Sequence, residues 1–155
     1  MKRFFLLLFA LILTASSSYA QDKETRLIIL EAKIDKADYT DIYLQNQAFL
    51  VFYYTEDEQL NMANVFPKEE SQSYGKVSMW AKEKENPDTP EGYKTESFVF
   101  RWSYANSYDS KTGSAICKLK KIYKPSAIAY ELQMLTEDTS TLEFKGYIDG
   151  TFKEY

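Results

Sequence analysis

The stretch Phe98-Val99-Phe100-Arg101-Trp102-Ser103-Tyr104 decides the fold. Aromatic rings occupy every second position, with Val99, Arg101 and Ser103 in the gaps. Successive side chains of a strand point to opposite faces, so this period of two predicts a strand with one aromatic face. A helix would scatter the same rings around its circumference. Left exposed, such a stripe invites aggregation, so the face is predicted to turn into a core. Phe98, Phe100, Trp102 and Tyr104 are therefore also the candidate ligand-binding residues. Trp102 and Tyr104, near the strand end, would line the mouth if the sheet closes.

Similar segments extend both ways from Lys94–Tyr104. Upstream lies the plainest loop, Asn86-Pro87-Asp88-Thr89-Pro90-Glu91-Gly92, and before it a strand over Lys76–Ala81. Phe66–Gly75, with Pro67 and two serines, reads as a loop. Leu60–Val65 reads as a short strand and Glu56-Asp57-Glu58 as the turn before it. Ala48–Thr55 is apolar at nearly every position, the pattern of a strand covered on both sides. Arg26–Ile34 fits either alternation (Ile28, Leu30, Ala32 and Ile34 on one side, Glu31 and Lys33 on the other) or a helical stripe, and the strand is favoured.

Downstream, Tyr108–Gly113 reads as a hairpin turn, and strands are predicted over Gly113–Tyr123, Ala127–Thr136 and Thr141–Phe152. Glu137–Ser140 is a further tight turn, and Gly146 and Gly150 are candidate bulges. The expectation is an all-β protein with about 7–9 strands, either an antiparallel up-and-down barrel or a sandwich. Sequential hairpins favour the barrel.

Composition narrows the chemistry. The chain has 155 residues, 23 acidic against 19 basic, one cysteine and no histidine. A net charge of −4 denies it the broad positive field of a nucleic-acid binder. Without histidine, no imidazole base and no histidine metal ligand exist. A single cysteine makes neither an internal disulfide nor a cysteine-rich zinc site. No metal and no cofactor are expected.

The first twenty residues carry an address. Lys2 and Arg3 form a positive start, Phe4–Leu13 is an apolar run, and Thr14–Ala20 is a small-residue exit with Ser18 and Ala20 at −3 and −1. The apolar run is half the ~20 residues needed to span a bilayer. Residues 1–20 are predicted to be a cleaved signal peptide and 21–155 a single β domain, periplasmic or secreted, without membrane insertion after cleavage.

Ser73-Tyr74-Gly75-Lys76, Tyr104-Ala105-Asn106 and Lys111-Thr112-Gly113 resemble the three signatures of serine β-lactamases and penicillin-binding proteins. That resemblance implies a serine opening a buried helix with its lysine one turn on. Gly75 and the strand-forming residues after it oppose this, and the motifs crowd into too short a stretch. Cys117, beside Ala115 and Leu119 on one strand face, reads as a buried structural thiol. Lys118, Lys120, Lys121 and Lys124 read as a solvated face. The acids at Glu56, Asp57, Glu58, Glu69, Glu70, Glu137 and Asp138 fall in turns.

In strand count, size and export signal the chain resembles the lipocalin and calycin class of barrels. It lacks that class's Gly-x-Trp signature, since no glycine precedes Gly75, so no family residue is carried over. Leu44–Gly75, with Phe100-Arg101-Trp102-Ser103-Tyr104-Ala105-Asn106, is similar to small exported bacterial β-rich proteins of unknown function. The expected function is non-enzymatic binding of a small apolar or amphipathic ligand. An envelope or extracellular interaction module, binding protein or carbohydrate, is the alternative, and a small carboxylate-based hydrolase the third.

Overall fold

Between residues 24 and 149, the span that the computed structural model describes, extended segments follow one another with little interruption. In chain order they are β1 (Glu24–Ile34), β2 (Ala37–Asp38), β3 (Phe49–Tyr54), β4 (Leu60–Phe66), β5 (Ser71–Lys82), β6 (Thr95–Asn106), β7 (Thr112–Tyr123), β8 (Ile128–Thr136) and β9 (Thr141–Asp149). A short helix α1 (Thr40–Gln45) precedes β3, and a 3-10 turn at Pro67–Glu69 follows β4. The predicted signal segment 1–20, Gly150 and Phe152 lie outside the described residues.

Every pairing is antiparallel. The order runs β1-β3-β4-β5-β6-β7-β8-β9, and β9 returns to β1 through Arg26↔Asp149 to Ile34↔Leu142. Eight strands thus close a barrel, and β2 is a two-residue extra strand folded back on β1. The up-and-down barrel forms rather than the sandwich. Closure leaves no long free edge among the eight strands.

Two bulges correct the simple alternation. Between Ile29 and Glu31 the β1–β9 register shifts, so Leu27, Ile29 and Ala32 are buried while Leu30 is exposed. Of the predicted face Ile28, Leu30, Ala32 and Ile34, Ala32 is buried and Ile34 lines the barrel interior, whereas Leu30 is exposed. Opposite this bulge, a β-carbon on Gly146 would lie 1.8 Å from the Ile28 carbonyl oxygen, so only glycine permits the approach. In β5 the register shifts between Ser78 and Ala81, with Met79 at φ 56°. The kink exposes Met79 and packs Trp80 against Phe98 and Phe100, at ring-centroid distances of 5.4 and 4.9 Å.

The predicted loop Phe66–Gly75 is a second correction. Only the 3-10 turn and Glu70 connect the strands, and Ser71–Gly75 is already paired with β4. Its serines alternate with bulkier residues because they face the barrel interior. Gly113 likewise belongs to β7 rather than to the turn, which occupies Ser107–Lys111. Asp35 and Lys36 join β1 to β2 with φ of 49° and 71°, the two left-handed positions of a type I′ turn, without the usual glycine.

Large side chains fill one half of the barrel. Leu27, Leu50, Phe52, Met62, Phe100, Leu119, Leu132 and Phe144 are almost wholly buried there, with Cys117 among them. Glu96 and Lys121, opposite one another across β6–β7, close that end. Lys121 is only 7% exposed, so it leaves the solvated face predicted for the lysine cluster. Period two sends Lys118 and Lys120 outward and turns Lys121 the same way as Cys117 and Leu119.

Candidate functional site

The other half of the barrel is not filled, and the reason lies in its inward-facing residues. Ser71 and Ser73 on β5, which line this half, are small. Met62, Gly75, Tyr104 and Gly113 share one row of the sheet. With glycine on both sides, Tyr104 lies along the wall: a β-carbon on Gly113 would be 2.8 Å from its hydroxyl oxygen. A cavity of about 610 Å³ results at this end, within the ~300–1,000 Å³ range of small-molecule sites.

The cavity has an apolar wall and a polar band. Ile34, Tyr43, Phe66, Trp102, Met134 and Leu142 supply apolar surface. Trp102 and Tyr104 rings lie 4.6 Å apart, and the Trp102 indole N–H donates to the Met62 carbonyl at 3.0 Å, which fixes its plane. Helix α1 covers one side through Tyr43, whose ring sits 4.8 Å from Phe66 and 5.2 Å from Phe144. Burial pushes the Tyr43 phenol above its ordinary pKa, partly offset by the hydrogen bond from Asn64.

The polar band follows from register. Asn64, Ser73 and Asn106 stand side by side across β4, β5 and β6. Ser73 Oγ donates to Asn106 Oδ1 at 2.7 Å, and Asn106 Nδ2 donates to Asp109 Oδ1 at 3.1 Å. Asn64 Nδ2 donates to the Tyr43 hydroxyl oxygen at 3.3 Å. Asn64 Oδ1, buried on a residue 8% exposed, has no hydrogen-bond partner among the described residues. A buried acceptor in this condition is costly and unusual.

The four candidates from the aromatic stripe divide. Phe98, Phe100 and Trp102 are 3%, 1% and 4% exposed, so the stripe faces inward. Trp102 and Tyr104 line the cavity, whereas Phe98 and Phe100 belong to the packed half, stacked on Trp80. Sequence reasoning missed Asn64, Asn106 as a cavity residue, and Tyr43. The alternating Ser71 and Ser73 were the signal that could have located the open half.

No protein-family model, curated protein or solved structure matches this chain.

The motifs singled out in the sequence acquire plain geometry. Ser73 and Lys76, three apart on one strand, face opposite sides of the wall, so the lysine cannot activate the serine. Cys117 is fully buried, and burial alone pushes its thiol up to about 12. Glu69 is the one carboxylate in the cavity lining among the described residues, where glycoside hydrolysis uses two. Among the described residues, no group of three or more Cys, Asp or Glu side chains is placed to hold a metal.

Proposed function

We propose that this protein binds a small amphipathic ligand in the open half of its barrel, without chemically changing it. One observation carries this: a roughly 610 Å³ cavity, aromatic on one wall and lined on another by Asn64, Ser73 and Asn106. An apolar body would rest on Trp102, Tyr104, Phe66 and Met134, while Asn64, Ser73 and Asn106 meet the polar end. A flat exposed aromatic patch would favour the interaction-module alternative, but Phe98, Phe100 and Trp102 are buried. As part of the same reading, residues 1–20 direct export and are removed after Ala20.

The test is titration with N-phenyl-1-naphthylamine, an uncharged amphipathic probe, followed by energy transfer from tryptophan. Saturable one-to-one binding is expected. Ser73→Phe projects a ring into the cavity and should abolish it, with a melting temperature unchanged or raised because the void is filled. Absence of saturable binding, or binding indifferent to Ser73→Phe, would sink the reading. The exported protein should begin at Gln21 by N-terminal sequencing, and a retained Lys2 would overturn the export assignment.

A further inference from the structure

The cavity's charge selects among amphipathic ligands. This step rests on the ligand-binding reading above and names the chemical class. Glu69 is the sole charged residue in the lining, with no lysine or arginine among the described residues there. The four connections around this end carry eight carboxylates (Asp35, Asp38, Asp41, Glu69, Glu70, Asp109, Glu137, Asp138) against Lys36, Lys68 and Lys111. Burial raises the Tyr104 phenol's pKa most, and Asp138, Tyr108 and Glu137 raise it further.

The cavity wall supplies the independent observation. The rings of Tyr43, Phe66, Trp102, Tyr104 and Tyr108 line the same space as Glu69. Aromatic faces are electron-rich and attract cations. An anion entering here would lose hydration, find no counter-charge and meet Glu69.

We infer that the ligand is an amphipathic amine, its apolar or aromatic body on the Trp102–Tyr104 wall and its ammonium group matched by Glu69, the one charge in the lining among the described residues. The experiment displaces the bound naphthylamine probe with 4-phenylbutylamine, 4-phenylbutanol and 4-phenylbutanoic acid at neutral pH. Their bodies match, and their head groups are cationic, neutral and anionic.

The amine should compete roughly tenfold better than the alcohol, and the acid worse than the alcohol. Glu69→Gln, an exposed change that leaves the fold intact, should bring the amine down towards the alcohol without moving the alcohol. An acid that competes as well as the amine would overturn the inference, as would an amine-to-alcohol ratio unchanged in Glu69→Gln. Failure of all three to displace a probe that does bind also overturns it, leaving cavity binding intact. A probe that fails to bind removes the cavity reading and this inference together.

Discussion

Phe100 and Trp102 sit two residues apart on one face of one strand yet meet different surroundings. Phe100 packs against Phe52 and Trp80, at centroid distances of 5.8 and 4.9 Å, inside the filled half. Phe100→Ala should cost about 3–5 kcal/mol, measured by denaturant unfolding, and leave probe affinity within about twofold. Trp102→Ala should lower both stability and probe affinity, because the same ring packs and lines the cavity. Stability changes below ~0.5 kcal/mol for both would place the stripe on the surface.

Glu96 carries a residue-scale pH dependence. Hydrogen bonds from Lys82, at 2.6 Å, and from Tyr123 pull its carboxyl from 4.5 down to about 2. A depressed folded-state pKa stabilises the protein above the unfolded value. That contribution is lost as pH falls from about 4.5 towards 2. Acid titration monitored by circular dichroism should show stability declining across this window, more steeply than in Glu96→Gln. Equal slopes in the two proteins would show that Glu96 contributes nothing to acid sensitivity.

Helix α1 is an element that its own sequence cannot sustain. Six residues are too few for an independent helix, and its first amide is met by the Asp38 carboxylate while the Thr40 hydroxyl accepts from the Ala32 amide. Tyr43 holds it, through Phe66, Phe144 and the Asn64 amide. Tyr43→Ala should cost about 3 kcal/mol and release the helix from the cavity. Hydrogen exchange should then accelerate at Asn46 and Ala48, whose amides donate to Ile42 and Tyr43 carbonyls. Unchanged protection there would mean that other contacts anchor α1.

At the scale of the molecule, closure depends on β9, which lies between β8 and β1. Its pairing with β1 joins residues more than a hundred positions apart. Such contacts form only after much chain entropy has been lost, so folding should take milliseconds to seconds. A chain ending at Ser140 would leave β1 and β8 without their shared neighbour and Leu27 and Leu132 uncovered. It should show no cooperative thermal transition by calorimetry. A sharp transition in that truncated chain would mean that the remaining strands form a core without closure.

The sequence alone determined most of the strands, because alternation records which side chains face inward, as Phe98 to Tyr104 does. It also determined the inert burial of Cys117 and the absence of imidazole chemistry. Periodicity is a local property, and it misleads where the backbone breaks step: the bulges at Leu30 and Met79 exchanged inward for outward neighbours. The cavity was not legible for a different reason. Asn64, Ser73 and Asn106 become neighbours only through cross-strand register, and a void exists only where small residues from several strands face one another. Those relations are set when the sheet closes, since closure alone fixes which distant rows share the interior.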